Sequence, residues 1–340
     1  MAAPLVSVLM PVYNAEATLA EALDSLQAQT LGDLEIVAVD DGSTDGTAEL
    51  LRQRQVEDPR VRPILAPHEG LVAALNRGLT ACRGPLVARM DGDDRCHPDR
   101  LRRQVELLDS RPEVSVASCL VELFPANASA TGFWIYLDWL NGLVDHESIC
   151  REIYIESPIV HPSAVVRREE LLALGRYQDR GWAEDYDLWL RYAAAGRRFA
   201  KVPEVLLWWR EHPGRLTRTD GRYSVENFLR AKAHYLAAGP LRERESVIVW
   251  GAGKTGRRLS KHLIRAGHRP VAFIDIDPAK IGGRLRGVPI LDPESLVGIW
   301  QGSPRPMVLA AVASRGAREL VRVALSRLGL REGEDYLCVA

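Results

Sequence analysis

Short apolar runs alternate with amphipathic segments along the first hundred residues, and this alternation limits the folds open to the chain more than any other feature. Val6 to Met10 is typical of a buried strand, and leucines at helical spacing follow it up to about Gln29. Further strands are predicted at Glu35 to Val39, Val61 to Leu65, Leu86 to Met90 and Val114 to Cys119. Strands that alternate with helices in this way predict an α/β fold of three layers with a mainly parallel sheet.

A second, shorter set of such segments follows residue 240. The chain has 340 residues, and at roughly 150 residues a domain this length favours two domains. Gly239 and Pro240 interrupt a predicted helix, Ser224 to Ala238, so we predict one domain over 1–240 and another over 241–340. The second domain is predicted to contain strands at Ser246 to Trp250, Pro270 to Ile274 and Met307 to Ala311, and helices at Gly256 to Arg265 and Arg315 to Leu328.

Between about 120 and 180 the periodicity weakens. Aromatic residues such as Trp134 and Trp139 are interspersed with Gly and Pro there, which predicts a less regular lid or acceptor region. A helical pattern resumes over 182–195, and a strand near Phe199 to Val202 is predicted to follow.

The charge balance and the cysteines exclude several classes of protein. Lys and Arg number 44 against 45 Asp and Glu, so the formal net charge is −1 and no global attraction to nucleic acid is expected. The five cysteines lack Cys-x-x-Cys spacing, which predicts neither a disulfide framework nor a zinc site. No apolar stretch reaches the roughly 20 residues of a membrane span, so we expect a soluble, cytoplasmic protein.

Three carboxylates gather where a predicted strand ends. Asp91, Asp93 and Asp94 follow a buried strand, at the edge of the sheet where open α/β folds bind ligands. Hard oxygen ligands in such a cluster suit Mg²⁺ or Mn²⁺, shared with the phosphates of a substrate. A solvated acidic turn that caps the helix beginning at Pro98 is the alternative.

Asp40 and Asp41 end the neighbouring strand and should face the same edge of the sheet. Their carboxylates can accept hydrogen bonds from a nucleobase or a ribose, and Tyr13 on the adjacent turn can stack on a base. Capping and turn formation alone would also account for both acids.

Another acidic group opens a predicted helix. Glu184 and Asp185 lie at its start, where the helix dipole favours negative charge and would by itself explain them. The functional interpretation is a carboxylate that takes a proton from an acceptor hydroxyl. Arg191, further along this helix, orients acidic residues, contacts phosphate or forms an ordinary ion pair.

These motifs belong to a longer ordered series. Its members are Val6-Ser-Val-Leu-Met-Pro-Val-Tyr-Asn14, Val39-Asp-Asp-Gly-Ser-Thr-Asp45, Leu75-Asn-Arg-Gly78, Ala88-Arg-Met-Asp-Gly-Asp-Asp94, His161-Pro-Ser163, Ala183-Glu-Asp-Tyr-Asp-Leu-Trp-Leu-Arg191 and Trp209-Arg-Glu-His212. In this order they resemble a family 2 glycosyltransferase of the GT-A fold over about residues 5–220. The resemblance implies transfer of a sugar from a nucleotide donor, usually uridine- or deoxythymidine-linked, with inversion at the anomeric carbon. The Gln-x-x-Arg-Trp pattern of processive synthases is missing from the sequence, which favours a single addition.

The resemblance also implies roles for individual residues. The implied donor-binding residues are Pro11, Tyr13, Asn14, Asp40, Asp41, Asp91 and Asp93. The implied ligands of Mn²⁺ or Mg²⁺ are Asp93, Asp94 and His212. Asp185 is implied as the general base with Glu184 as its supporting neighbour, and His161 is expected to shape the acceptor side.

The second domain has a signature of its own. Gly251, Gly253 and Gly256 follow a predicted strand, and Asp275 lies 19 positions after Gly256, where the ribose-binding acid of a dinucleotide fingerprint would fall. This stretch resembles the small domains found ahead of sugar O-acetyltransferases, which implies a Rossmann-like fold that binds a nucleotide or nucleotide sugar. A structural, docking or regulatory role is an equal alternative.

We therefore expect an inverting, metal-assisted glycosyltransferase that uses the hydroxyl of a saccharide or lipid-linked acceptor. Such an acceptor would bring the protein to the inner face of the membrane as a peripheral partner. Two other classes stay open: an NAD(P)-dependent oxidoreductase centred on the second domain, and a nucleotide-sugar-binding protein without catalysis.

Overall fold

The computed structural model describes residues 3–125 and 131–340, and the chain forms two compact units. The first unit comprises Met1–Ile149, Pro158–Arg180 and Glu184–Arg218, and the second comprises Cys150–Ser157, Gly181–Ala183 and Thr219–Ala340. Leu229 and Leu236, which precede residue 240, are buried in the core of the second unit. The domain boundary at residue 240 stays a prediction. The second compact unit also includes the helix Val225–Ala238, which ends just before that residue.

An eight-stranded sheet forms the centre of the first unit, in the order β3-β2-β1-β4-β7-β6-β8-β5. Its strands are β1 Val6–Val12, β2 Leu34–Asp41, β3 Val61–Ala66, β4 Leu86–Arg89, β5 Arg95–Cys96, β6 Val114–Phe124, β7 Val165–Arg167 and β8 Arg198–Arg210. The first four strands are parallel, as are β6 and β8, whereas β5 and β7 run antiparallel to their neighbours. The predicted α/β fold with a mainly parallel sheet is confirmed.

Helices pack against this sheet through their apolar faces. They are α1 Glu16–Gln27, α2 Thr47–Glu57, α3 Leu71–Ala81, α4 Arg100–Ser110, α5 Thr131–Gly142, α6 His146–Glu152, α7 Arg168–Ala173, α8 Glu184–Ala194 and α9 Leu216–Thr219. Leu19, Leu23 and Leu26 of α1 are fully buried, as their spacing predicts, and each such leucine contributes roughly 1.5–3 kcal/mol to stability. A side chain at Gly78 of α3 would lie 2.4 Å from Leu9, so this glycine lets the helix approach the sheet closely.

The largest differences from prediction lie between residues 120 and 210. The segment from 120 to 180, of which 126–130 fall outside the described residues, contains α5, α6, β7 and α7. Seven of the twelve residues of α5 are apolar, and five of them run without a break over Phe133–Leu137, so its sequence has no clear helical period to recognise. Strand β8 runs for 13 residues through Pro203, and the pairing of β6 with β8 shifts register on both sides of Leu120.

The second unit contains a six-stranded sheet in the order β11-β12-β10-β9-β13-β14. Its strands are β9 Ser246–Trp250, β10 Pro270–Ile274, β11 Arg284–Leu285, β12 Val288–Leu291, β13 Pro306–Ala310 and β14 Tyr336–Cys338. Its helices are α10 Val225–Ala238, α11 Lys254–Arg265, α12 Leu296–Gly302 and α13 Ala317–Arg327. All pairs except β11 with β12 are parallel, and the parallel strands follow the 3-2-1-4-5 order of doubly wound sheets.

Across both described ranges, we find no helix with the length and apolar character that crossing a bilayer would require.

Candidate active site

The predicted donor-binding residues of the first motifs lie where β1 and β2 end. Pro11 belongs to β1, Tyr13 and Asn14 follow that strand, and Asp40 and Asp41 are the last residues of β2. The two strands are parallel neighbours, with Pro11 paired to Val39. All five residues therefore lie at one edge of the sheet, as the sequence predicts.

Both acids of β2 are buried and hold the loops beside them. The carboxylate of Asp40 accepts hydrogen bonds from the N and Oγ of Ser43, at 3.1 and 2.5 Å. The carboxylate of Asp41 accepts the N–H groups of Glu69 and Gly70, each at 2.9 Å. The structure thus shows that Asp40 holds the turn after β2 and that Asp41 anchors the distant loop before α3, and the part of both acids in donor binding stays a prediction.

Asn14 links the turn after β1 to the loop after β2. Its backbone N–H donates to Ser43 Oγ and its side-chain oxygen accepts the N–H of Thr44, both at 2.8 Å. Its φ of 49° lies in the left-handed region, which asparagine tolerates better than most residues. Its conformation and hydrogen bonds suit it to shaping this edge of the sheet.

His68 is a residue at this edge that the sequence analysis missed. Its imidazole stacks on Tyr13, and its Nδ1 lies 2.9 Å from Asp41 Oδ2. Tyr13 is 48% exposed, so its ring remains accessible beside this stack. The only sequence signal for His68 is that it lies on the loop after β3, close to the predicted site.

The carboxylates of Asp91, Asp93 and Asp94 converge just after β4. One oxygen from each lies within 4.8 Å of the others, and together they could hold a metal ion. Asp91 and Asp93 are partly buried, whereas Asp94 is only 1% exposed. The predicted helix after this cluster begins at Arg100 rather than Pro98, with Asp99 as its N-cap residue.

Burial and the mutual repulsion of the carboxylates raise the pKa of two residues of this acidic cluster. Burial and the charges of Asp93 and Asp91 raise the pKa of Asp94 well above its usual range. Burial and Asp91 likewise raise the pKa of Asp93. Asp94 Oδ1 accepts the N–H of Arg210 at 2.7 Å, whereas its buried Oδ2 has no hydrogen-bond partner within the described residues. Clustered hard oxygen atoms with one buried oxygen unpaired fit a divalent cation.

The structure brings His212 to this cluster. Its Nε2 lies 2.9 Å from Asp93 Oδ2, although 119 positions separate the two residues in the chain. Arg210, two positions earlier, also donates from Nε to the backbone oxygen of Asp93 at 2.5 Å. The end of β8 thus supports the acidic cluster, and direct ligation of a metal by His212 stays a prediction.

Glu184 and Asp185 open α8, as the sequence predicts. Glu184 is buried, and its Oε1 lies 3.8 Å from Nδ1 of His161. Nε2 of His161 lies 3.1 Å from the hydroxyl of Tyr177. Burial and the neighbouring charge of Glu184 raise the pKa of Asp185 to about 8, within the range that suits a general base.

Arg191 has a structural role on the same helix. Its Nε donates to Asp187 Oδ2 at 2.8 Å, and its terminal nitrogens donate to the backbone oxygens of Leu174 and Arg176 at 2.5 and 2.7 Å. The ordinary ion pair that we considered for Arg191 is therefore present.

Arg89, the last residue of β4, is a second residue that the sequence analysis missed. It is 3% exposed, and its Nη2 donates to Asp91 Oδ1 at 2.5 Å. The sequence did offer a signal for Arg89. It is a basic residue at the end of an otherwise apolar strand, directly before the acidic motif, where its side chain is expected to be buried.

The second unit brings together the residues of the predicted glycine fingerprint. Gly251, Gly253 and Gly256 span the turn from β9 into α11, and a side chain at Gly256 would lie 1.8 Å from the Gly251 oxygen. Asp275 follows β10, and its carboxylate accepts the N–H of Ala252 at 2.8 Å and of Asp277 at 3.0 Å. Nucleotide binding at this turn stays a prediction.

Comparison with known proteins adds evidence that is independent of this geometry. The family described as Glycosyl transferase family 2 matches residues 7–172. The amylovoran biosynthesis glycosyltransferase AmsE of Erwinia amylovora is 34% identical over 205 residues, which cover 59% of this chain and 74% of that protein. The putative glycosyltransferase EpsE of Bacillus subtilis (strain 168) is 31% identical, covering 66% of this chain and 79% of that protein.

A further relative acts on a lipid-linked saccharide by its name. It is the UDP-Gal:alpha-D-GlcNAc-diphosphoundecaprenol beta-1,3-galactosyltransferase of Escherichia coli, 28% identical over 72% of this chain and 88% of that protein.

Solved structures resemble this chain in fold. TarS 1-349 of S. aureus, in complex with UDP-GlcNAc, has a TM-score of 0.57 at 20% identity, covering 76% of this chain and 72% of that chain. The mannosyltransferase PcManGT from Pyrobaculum calidifontis, in complex with GDP-Man and Mn²⁺, has a TM-score of 0.50 at 20% identity, covering 97% and 82%. Both support the GT-A type of fold predicted from the motifs.

The comparisons also decide between the three classes of function that the sequence left open. The relative AmsE is a glycosyltransferase, and it is 34% identical to this chain over 74% of its own length. This similarity agrees with neither an oxidoreductase nor a binding protein without catalysis. This chain belongs to glycosyltransferase family 2 and is a glycosyltransferase.

Proposed function

We propose that this enzyme transfers a sugar from a UDP- or dTDP-linked donor to a hydroxyl of a saccharide or lipid-linked acceptor, in one metal-assisted displacement that inverts the anomeric carbon. The observation that carries the proposal is that one compact unit contains two separate sets of acidic side chains, each in a different environment. One is the acidic cluster of Asp91, Asp93 and Asp94, and the other is the pair Glu184 and Asp185.

The donor side is built from the ends of β1 and β2. The exposed ring of Tyr13 offers a stacking surface for a nucleobase, and Asp40 and Asp41 hold the loops around it. TarS, which shares the fold, was solved with UDP-GlcNAc, and this supports a uridine-linked donor for the present chain.

The acidic cluster fits Mn²⁺ or Mg²⁺. Asp93 and Asp94 would hold the ion, with Asp91 beside them and His212 against Asp93. A cation bound there would offset the negative charge that develops on the departing nucleoside diphosphate. The PcManGT structure, which contains GDP-Man and Mn²⁺, supports the use of a divalent cation on this fold.

Asp185 is the proposed general base. Its carboxylate would take the proton of the acceptor hydroxyl as the oxygen attacks the anomeric carbon, and the nucleoside diphosphate would leave from the opposite side. Inversion needs one such attack, so no covalent intermediate with the enzyme is required. Glu184 keeps the pKa of Asp185 high through its adjacent charge, which makes Asp185 a stronger base once it is ionised.

The acceptor is proposed from the relatives. One of them takes part in amylovoran biosynthesis, and another is a galactosyltransferase whose acceptor is a diphosphoundecaprenol-linked sugar. Both are compatible with a saccharide or lipid-linked hydroxyl, and with an enzyme that works at the inner face of the membrane in polysaccharide or envelope assembly.

A donor-consumption assay tests this proposal. The wild-type chain is incubated with UDP-GlcNAc, UDP-Gal, UDP-Glc and dTDP-Glc, with Mn²⁺ or excess chelator, with and without a diphosphoundecaprenol-linked GlcNAc acceptor. We expect release of one nucleoside diphosphate that needs both cation and Asp185, and a product of inverted anomeric configuration by nuclear magnetic resonance. Asp109→Asn, a change of an exposed carboxylate on α4, is the matched control and should leave turnover intact. Full turnover in excess chelator, or a product that retains the donor's configuration, would overturn the proposal.

A further inference from the structure

We infer that Asn76 and Tyr177 are positioning residues for the acceptor side of the site: Asn76 on α3 fixes Tyr177, and the Tyr177 hydroxyl holds the imidazole of His161. The ring is thereby oriented with its Nδ1 towards Glu184, the neighbour of Asp185. The inference rests on the proposed function, because it takes Asp185 as the general base. Neither Asn76 nor Tyr177 belongs to the donor, metal or base groups proposed above.

The side-chain amide of Asn76 forms two hydrogen bonds with the backbone of Tyr177. Its Nδ2 donates to the Tyr177 oxygen at 2.9 Å, and its Oδ1 accepts the Tyr177 N–H at 3.1 Å. The two residues are 101 positions apart in the chain, so the pair joins α3 to the segment before α8. Because both the oxygen and the nitrogen of the amide are used, the pair fixes the orientation of Tyr177 as well as its position.

The helix that carries Asn76 also contacts the donor side. The residue before α3 is Gly70, whose N–H donates to Asp41 Oδ2 at 2.9 Å. Asn76 lies further along this helix, in Leu75-Asn-Arg-Gly78, a stretch of the family resemblance to which the proposed function assigns no role. One helix therefore joins the loop held by Asp41 to the segment that carries Tyr177.

Further contacts hold the chain directly before Tyr177. Arg176 has a φ of 60°, in the left-handed region that residues other than glycine rarely adopt. Its backbone oxygen accepts from Nη2 of Arg191 on α8 at 2.7 Å, and its Nη1 donates to Thr80 on α3 at 3.4 Å. Backbone strain of this kind persists only where the surrounding contacts impose it. Both α3 and α8 thus determine where Tyr177 lies.

The hydroxyl of Tyr177 contacts the ring of His161. Its oxygen lies 3.1 Å from Nε2, and the two ring centroids are 5.3 Å apart. Both residues are buried. Burial raises the pKa of the Tyr177 hydroxyl, so this group keeps its proton in neutral solution. Burial and the charge of Arg89 lower the pKa of His161 well below its usual value, so the ring is neutral and carries one proton.

The position of Glu184 determines which ring nitrogen carries that proton. Glu184 Oε1 lies 3.8 Å from Nδ1 of His161, which is longer than a hydrogen bond but close enough for a charge to attract a polar N–H. A proton on Nδ1 is therefore favoured, since a lone pair there would be repelled by the carboxylate. Nε2 then remains an acceptor, and the hydroxyl of Tyr177 donates to it.

Loss of the Tyr177 hydroxyl would release this ring. A buried imidazole nitrogen without a hydrogen-bond partner is costly, so the ring would turn towards another partner. Nδ1 would then move away from Glu184, and the carboxylate would lose the N–H that attracts it. Glu184 and Asp185 are consecutive residues in the first turn of α8, so the geometry of the base would change as well. We expect the cost to fall on transfer and not on donor binding.

Nitrogen-15 nuclear magnetic resonance of protein labelled at histidine tests this arrangement without turnover. The signals of His161 are identified by their absence in His161→Gln. In the wild type we expect a protonated Nδ1, and an unprotonated Nε2 with the chemical shift of a hydrogen-bonded acceptor. In Tyr177→Phe and in Asn76→Ala, the Nε2 signal should lose that shift. A wild type with the proton on Nε2 would overturn the inference.

Transfer kinetics test the role in the reaction. In the assay of the proposed function, Tyr177→Phe and Asn76→Ala should lower kcat for transfer about tenfold, the effect of one lost hydrogen bond that holds the site in place. The affinity for UDP with Mn²⁺, measured by isothermal titration calorimetry, should remain that of the wild type in both variants. A loosened fold would instead weaken transfer and UDP binding together.

The chain offers a matched control for each variant. Asn141 on α5 forms the same pair of hydrogen bonds with a backbone, since its Nδ2 and Oδ1 contact the oxygen and the N–H of Val121 at 2.8 and 3.0 Å. Asn141→Ala should cost stability but change neither the His161 signals nor kcat. Tyr192 on α8 is fully buried, and its hydroxyl has no hydrogen-bond partner within the described residues. Tyr192→Phe should therefore resemble the wild type in both measurements.

The outcomes separate this inference from the proposed function. A wild type without cation-dependent transfer overturns the proposed function, while the His161 signals still report whether Asn76 and Tyr177 hold the ring. If the wild type transfers sugar, a Tyr177→Phe protein with wild-type His161 signals, or with wild-type kcat, overturns the inference. If Asn76→Ala does not fold, Tyr177→Phe decides alone, because it removes a single oxygen atom and keeps both hydrogen bonds between Asn76 and the backbone.

Discussion

The ring of Tyr13 stacks on the imidazole of His68, with centroids 4.3 Å apart and planes inclined by 26°. Nδ1 of His68 is in turn 2.9 Å from Asp41 Oδ2, so the aromatic pair is anchored to the end of β2. The stack fixes one face of Tyr13 and leaves much of the ring exposed. This is the arrangement expected of a stacking surface that is ready before its ligand arrives.

If Tyr13 stacks on the donor's base, its ring and not its hydroxyl should matter. Tyr13→Ala should weaken the binding of UDP about tenfold, since stacking of a base on an aromatic ring is worth roughly 1–3 kcal/mol. Tyr13→Phe, the matched control, should bind UDP like the wild type. Isothermal titration calorimetry with Mn²⁺ present measures both, and equal affinities for the alanine variant and the wild type would contradict the assignment.

The buried carboxylate of Asp94 should lower the free energy of unfolding of the metal-free protein. Its pKa is raised in the folded protein, so the folded state is favoured at low pH and loses that contribution as pH rises through the raised pKa. At pH 7 to 8, without metal, Asp94→Asn should therefore increase the free energy of unfolding of the first unit by about 1–3 kcal/mol, because the folded protein no longer has to bury or to protonate this carboxylate.

The same variant should lose its response to metal. Mn²⁺ should raise the urea midpoint of the wild type and of Asp109→Asn, and should have little effect on Asp94→Asn. A metal-free Asp94→Asn protein that is less stable than the wild type at pH 8 would show that the carboxylate has a structural role instead.

The pH dependence of turnover should follow Asp185. A base works in its ionised form, so kcat/KM should rise with pH through the region of about 8 set by burial and Glu184. Asp185→Asn should lower turnover by a factor on the order of 10² to 10⁴ while UDP binding is kept. Glu184→Gln removes the like charge beside Asp185 and should move the acid limb to lower pH. An acid limb that is unchanged in Glu184→Gln would indicate that another group titrates.

Much of this site could be predicted because its residues are local in sequence. Asp40, Asp41 and the acidic cluster follow runs of apolar residues that identify buried parallel strands, and strand ends meet at one edge of a sheet. The strands Ser246–Trp250 and Pro270–Ile274 have the predicted bounds for the same reason: each is a short apolar run between clear breaks.

What could not be predicted depends on contacts between distant residues. In the sequence Arg89 is one more strand residue, and only the folded structure shows its contact with Asp91. The role of His68 likewise appears only from its stacking on Tyr13, which lies on a different loop. The length of β8 was missed because Pro203 interrupts the strand pattern, whereas the shifted pairing with β6 accommodates it.

Asp275 provides a test of the second unit. Its two carboxylate oxygens accept the N–H groups of Ala252 and Asp277, and Nζ of Lys280 lies 3.4 Å away. An acid engaged in this way braces the glycine-rich turn, and its oxygen atoms are occupied where a dinucleotide would present ribose hydroxyls. We therefore expect NAD(H) to leave the thermal unfolding of the protein unchanged.

Removal of this acid should destabilise the turn. Asp275→Ala leaves the buried N–H of Ala252 without its acceptor and should lower the unfolding free energy of the second unit by about 1–3 kcal/mol. Asp277→Ala, at a partly exposed position of the same loop, is the control and should cost less, because the N–H of exposed Ala279 that it frees can bond to water. Thermal unfolding of the full chain with UDP, UDP-GlcNAc and NAD(H) provides the measurement. An NAD(H)-dependent rise in the wild type that Asp275→Ala abolishes would show instead that Asp275 exchanges its backbone partners for the ribose of a bound dinucleotide.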